Sequence, residues 1–235
     1  MRTPNLVMAF FEFAVLLFAL SLHESAHAWM ASRLGDQTAR MLGRITLNPA
    51  KHIDPFGTIL LPLVALFTGL PVIGWAKPTP VNTRNFKHFT RDDILTTLAG
   101  PASNVLASIV SLIILIVLVR MSGGGMAVVQ GLATGGFVGQ DPQVMAANPV
   151  LYPLALLFYL SVLLNLLLAA FNLLPVPPLD GSHIFRHILP TNWLPMYDRL
   201  GMISLFLLLF FGGGVLNAMI SPVMAVFFYI LERSI

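Results

Sequence analysis

The sequence predicts an all-α polytopic membrane protein with five to six transmembrane helices and a small membrane-associated β element. Three observations lead there. Of the 235 residues 57% are hydrophobic, only 10% are charged, and several apolar runs reach the roughly 20 residues that a spanning helix needs. The net charge of +3 rests on 13 basic and 10 acidic side chains, too few and too scattered for a nucleic-acid-binding face. With no cysteine, any metal must be held by nitrogen and oxygen. No internal repeat or low-complexity linker divides the chain, so a single domain is expected over residues 1–235.

Taken in order, the apolar runs are Leu6 to Trp29, Ile94 to Val119 and Val150 to Leu174. Leu200 to Leu231 is long enough for two spans, broken near Gly212-Gly213-Gly214 and Pro222. Phe56 to Trp75 is apolar but short, and Pro62 and Pro71 interrupt it. Arg33, Arg40, Arg44 and Lys51 precede that stretch, and Lys77, Arg84, Lys87 and Arg91 follow it. Lys and Arg gather on the cytoplasmic side, so both flanks read as cytoplasmic and the stretch as re-entrant or packed within the protein. Ser122 to Asn148 carries no Lys or Arg and reads as external, while Arg186 and Arg199 return the chain to the cytoplasm. With five spans the N-terminus is outside and the C-terminus, with Arg233, inside. Between Ala39 and Leu47, Met41, Gly43, Ile45 and Leu47 alternate with Arg40, Leu42, Arg44 and Thr46, the period of a short strand or hairpin at the membrane face. An alternative reading of Arg2, the first apolar run and Ala26-His27-Ala28 as a cleavable export signal would discard the best motif in the chain.

That motif is His23-Glu24-Ser25-Ala26-His27, the H-E-x-x-H pattern. Two imidazoles four residues apart fall about 40° apart on one helical face and can reach one metal ion. Glu24 is placed to take a proton from metal-activated water without being a ligand. Six His and three Glu would give this pattern by chance in roughly two chains per thousand. Three ionisable groups near the end of an apolar helix are costly in a bilayer and are usually functional; the structural alternative is a polar cluster bonding neighbouring helices. A catalytic zinc takes three protein ligands and keeps one position open. Asp180 is a candidate third ligand, because Pro175, Pro177 and Pro178 unwind the chain before it and Gly181 follows. Loop charges put it toward the same, cytoplasmic, side as the histidines.

The chain resembles the site-2 protease family of intramembrane zinc metalloproteases. The resemblance rests on His23-Glu24-x-x-His27, Gly43-Arg44-Ile45-Thr46-Leu47-Asn48-Pro49, Gly100-Pro101-Ala102-Ser103-Asn104, and Asn172-Leu173-Leu174-Pro175 leading to Leu179-Asp180-Gly181. It implies one zinc ion on His23, His27 and Asp180, Glu24 as general base, and Asn172 near the substrate carbonyl. It also implies a three-helix catalytic core with a membrane-embedded β element, a core placed at about residues 5–186 with C-terminal helices at about 196–232. No PDZ-like soluble module is present in the sequence, which reads as a compact member. The family suggests a prokaryotic inner membrane and substrates that are themselves membrane proteins with a transmembrane helix.

Asn172 and Asn165, seven residues apart, share a helical stripe. An amide there serves either a developing oxyanion or an interhelical hydrogen bond. Asn104 is expected to support the backbone near the site and is grouped with Ile45 on the substrate side, where an extended peptide could pair with a strand edge. His183 and His187 also stand four apart but lack a Glu and flank Arg186, so they read as interfacial; His52 and His88 read as solvated loop residues. Glu12 shares the His23 face but lies about 16 Å away, too far to be a ligand. Rival functions are a metal-handling transporter with Glu24 as a further ligand or proton relay, and an inactive scaffold that binds helices.

Overall fold

In the computed structural model the first apolar run becomes helix α1 (Leu6–Leu34), uninterrupted by Gly or Pro. The structure describes residues 6–61, 63–64, 75–122, 125–135, 142–199, 201, 203 and 213–234. Gly35 ends α1 at φ +120°, and a side chain there would also collide with the Asn85 carbonyl 2.8 Å away. After the short α2 (Thr38–Met41) come turns at Pro49–Lys51 and Pro55–Leu60, an extended segment from Trp75, and a turn at Thr83–Asn85. Helix α3 (Phe89–Arg120) follows, then α4 (Gly125–Gly135), α5 (Pro142–Ala147), α6 (Leu151–Asn172), α7 (Asp180–Arg186) and α8 (Gly213–Ser234).

Helices α1, α3 and α6 are long and apolar enough to cross a membrane. They pack on one another with α3 in the middle. Asn104 of α3 meets Ala19 and Asn165, Ser108 meets Val162, and Thr96 meets His27, so α3 runs antiparallel to both neighbours. One end of this trio is apolar: Met8, Val15, Leu115, Val119, Tyr152, Leu156 and Leu160 are buried together, with Phe227 and Leu231 of α8. The other end is polar, and Ser111 and Ser161 join α3 to α6 at the midpoint, 2.8 Å apart. Against lipid, burying a Leu gains little, so polar bonds of this kind and close packing hold the helices in register.

Several expectations change. The described part of 56–75 opens as a π-helical turn at Pro55–Leu60, and whether the stretch crosses the membrane lies outside the described residues. The break expected near Gly212 is likewise partly outside them, and α8 contributes only a shorter apolar stretch, Ser221–Leu231. The described residues thus hold three candidate spans. The region read as an external loop contains α4, which buries Val128, Val129 and Leu132 against the core. No strand occurs among the described residues. Residues 38–41 are helical, Gly43 turns the chain at φ +66°, and Arg44 is pulled inward, which breaks the alternation that had suggested a β element at 39–47.

Beyond α1, Asp36 is fully buried and ties the helix exit to the segment before α3. Its carboxylate accepts from Thr38 N and Oγ1, Asn82 N and Asn85 Nδ2 at 2.6–3.1 Å. Burial alone would raise its pKa, but these donors outweigh it and hold the carboxyl below its ordinary 3.8. Asp36→Ala is expected to cost about 3 kcal/mol by orphaning those donors. Because the folded pKa is depressed, this contribution is present above pH 3.8 and is lost as pH falls through the lower folded value. Thermal unfolding of wild type and variant in detergent should show a constant gap near neutrality that narrows on acidification.

Candidate metal centre

Helix α1 places His23 and His27 one turn apart on its inner face, both buried, with ring centroids 4.6 Å apart. Each imidazole is held from behind through Nδ1. His23 Nδ1 lies 2.6 Å from Asn104 Oδ1, and His27 Nδ1 lies 2.8 Å from the Thr96 carbonyl. Both partners are acceptors there, because Asn104 Nδ2 is already donating to Ala19 O and Asn165 Oδ1. Each Nδ1 therefore donates, which turns the Nε2 of each ring inward. Gly100 makes room for the rings. A Cβ at residue 100 would stand 2.4 Å from His27 Nε2 and 2.7 Å from His23 Cε1. Pro101 next to it removes the N–H that would bond the Thr97 carbonyl, one residue on from the Thr96 carbonyl that His27 uses.

Asp180 arrives from the other direction. Helix α6 stops at Asn172, and the proline-rich stretch to Leu179 folds back so that α7 begins beside the end of α6. Gly181 allows that return, since a Cβ there would meet the Leu173 carbonyl at 2.2 Å. Asp180 Oδ2 then lies 3.0 Å from His23 Nε2 and 3.4 Å from His27 Nε2, and the two Nε2 atoms are 3.1 Å apart. Oδ2 is buried without a hydrogen-bond partner. Three electron-pair donors thus face one point. Tetrahedral zinc with bonds near 2.0–2.1 Å has ligand edges of about 3.3 Å, close to all three distances. The residues fit a zinc ion, and they are the one group of potential ligands found among the described residues.

Glu24 stands outside that group. Its Oε2 accepts from Thr79 N at 2.7 Å, and its carbonyl accepts from Thr79 Oγ1 at 3.0 Å. Thr79 sits between Pro78 and Pro80, which keep the segment extended and leave its N–H free for Glu24. Arg44 fastens this segment: its guanidinium donates to the carbonyls of Lys51, Lys77 and Pro78. Burial lowers the Arg44 pKa and the Glu24 charge opposes that shift, while the guanidinium keeps its charge. Ser25, inside the motif, bonds both the N–H and the carbonyl of Thr46 and so joins α1 to the same layer.

Residues 11–213 of the chain match Peptidase family M50. The chain belongs to that family. Among its relatives, "Putative zinc metalloprotease YwhC" of Bacillus subtilis is 40% identical over 177 residues, 75% of this chain and 68% of the relative. "Putative zinc metalloprotease Rip2" of Mycobacterium tuberculosis is 26% identical over 207 residues, 86% of this chain and 66% of the relative. The Rip2 of Mycolicibacterium smegmatis is 34% identical over 97 residues, 41% of this chain and 36% of the relative. No solved structure matches. The site-2 protease resemblance is thereby established, and with it a zinc-dependent metalloprotease.

Within this M50 chain His23, His27 and Asp180 come together and Glu24 lies beside them, while the other expected site residues scatter. Asn172 is half-buried and donates from Nδ2 to Leu168 O at 2.9 Å, closing its own helix. Asn104 is fully buried behind His23 with both ends of its amide in use. Ile45 is exposed, on a bend rather than a strand. His52 is buried, not solvated, with Nε2 2.9 Å from Thr46 O. His183 is exposed and His187 pairs with Asp93, so the two form no second metal site. Sequence reasoning missed Thr79, Thr96 and Arg44. Only Thr79 carried a readable signal, the prolines on either side.

Gly100→Val should remove zinc binding from an otherwise helical protein, because the imidazoles lose their space. Metal content after gel filtration, near one per chain in wild type, is the measurement.

Proposed function

We propose that the chain is a zinc-dependent intramembrane endopeptidase that hydrolyses peptide bonds in or near transmembrane segments of other membrane proteins. The observation that carries this reading is the convergence of the His23, His27 and Asp180 lone pairs within a bundle of spanning helices, with a held carboxylate beside them. His23, His27 and Asp180 hold the metal. Zinc, when bound, polarises the scissile carbonyl and lowers the pKa of water. Glu24 takes the proton of the attacking water and returns it to the departing nitrogen. The Thr79 N–H on Oε2 leaves Oε1 for that exchange and fixes the direction in which it points. Asn172 is assigned to the substrate carbonyl, using the N–H that Leu168 does not occupy.

A substrate helix has its carbonyls bonded internally and must unwind before attack. Ile45 is assigned to gripping the extended peptide. Its own backbone makes no hydrogen bond among the described residues, whereas its neighbour Thr46 is pinned to Ser25. The whole chain acts as one intramembrane domain, and the site faces the cytoplasm of a bacterial inner membrane. Arg44, Lys51 and Lys77, which support that orientation, surround the site end of the bundle.

Glu24→Gln is the deciding variant. With a single-span test substrate in detergent and zinc supplied, cleavage should fall at least ~100-fold while zinc content is unchanged. Metal flux into liposomes that persists without any proteolysis by wild type would instead mark a transporter.

A further inference from the structure

Helix α3 gives no ligand, yet one stripe along it touches every part of the centre. Asp93, Thr96, Gly100 and Asn104 are spaced by three and four residues and therefore stack on one helical face. Asn104 holds His23, Thr96 holds His27, and Gly100 supplies the space between them. Asp93 is the remaining member. Its Oδ2 accepts from His187 Nε2 at 2.8 Å, and His187 directly follows α7, whose first residue is Asp180. Both side chains are mostly buried, at 12% and 16% exposure, and the Phe89 ring packs edgewise on His187 at 5.6 Å. Helix α7 is only seven residues long and has no side-chain cap. Its other ion pair, Arg186 with Asp198, is exposed and holds little.

Behind Asn104 lies a second tier. Asn165 Oδ1 accepts from Asn104 Nδ2 at 2.8 Å, while Asn165 Nδ2 donates to Ser161 O at 2.8 Å. The Ser161 carbonyl can only accept, so it fixes which way the Asn165 amide faces, and Asn165 Oδ1 together with the Ala19 carbonyl fixes Asn104. With Asn104 reversed, an NH2 would oppose the Nδ1–H of His23 and drive that proton to Nε2, where the metal must bind.

We propose that α3 is the template on which the zinc centre is assembled, with Asp93 and Asn165 as positioning residues: Asp93 sets Asp180 through His187, and Asn165 sets the His23 tautomer through Asn104. This rests on reading the site as a zinc centre. The test uses the full chain in detergent, with zinc affinity measured by chelator competition and thermal unfolding followed with and without zinc. Asp93→Ala and Asn165→Leu should each weaken zinc binding roughly 10- to 100-fold. Asp93→Asn still accepts from His187 and should bind zinc close to the wild-type affinity. The stabilisation that zinc confers should shrink in Asp93→Ala and be kept in Asp93→Asn. Unchanged affinity in Asp93→Ala and Asn165→Leu overturns the template, as does an equal loss of stability with and without zinc, which marks ordinary helix packing. Wild type that takes up no zinc overturns the metal reading and the template together. If Asn165→Leu does not fold, the Asp93→Ala and Asp93→Asn pair decides, because that contact lies away from the helix core.

Discussion

The rest of the structure depends on three potential ligands held close enough together to share one cation. Two imidazole lone pairs and a carboxylate oxygen are held within 3.0–3.4 Å of each other out of water. Leaving them unpaired in a low-dielectric interior would cost several kcal/mol. The donors do not drift apart, because each is fixed from behind: His23 by an amide, His27 by a carbonyl, Asp180 by the fold of its loop. The protein therefore spends packing and hydrogen bonds to keep an unfavourable cluster in place, which is the signature of a binding site and not of a structural core.

The division of the bundle into an apolar end and a polar end follows from the solvent. In lipid, leucines on α1, α3 and α6 have no reason to prefer each other over acyl chains. Register must be specified by groups that cannot be left facing hydrocarbon, and the asparagines and serines between the helices are such groups. Fixing register in this way also fixes the imidazoles, since Asn104 belongs to both systems. A one-residue slip of α3 against α1 would lose its bonds to Ala19 and His23 together.

Much of the site was legible and much of the surrounding layer was not. The H-E-x-x-H spacing alone puts two imidazoles on one face, and the proline run announces the break in the chain before Asp180, although Asp180 itself opens α7 rather than standing on a non-helical segment. What the spacing could not convey was distance across the bundle. Asn172 and Asn165 share a stripe, yet the first closes its own helix and the second braces Asn104, because the two amides meet different neighbours. The alternation from Ala39 to Leu47 misled for a similar reason. A strand would put Arg44 on one face with Arg40 and Thr46, whereas three carbonyls of adjacent segments draw it inside. Charge in a sequence says nothing of whether acceptors wait in the interior. The C-terminal helices were legible only as hydrophobic length, which does not say how many times a chain crosses.

The position of Glu24 separates catalysis from mere metal storage. A fourth ligand inside the cluster would close the coordination sphere and raise affinity, leaving no place for water. Here the residue between two ligands in sequence is kept out of their company by a hydrogen bond from a segment more than fifty residues away. That segment cannot join a helix or a sheet, because the prolines on either side of Thr79 forbid both, so its one amide proton is available to hold the carboxylate. A base fixed beside the metal position but excluded from coordination can accept a proton without competing for the ion. Such an arrangement suits the activation of water, the chemistry of the metalloprotease family to which the chain belongs.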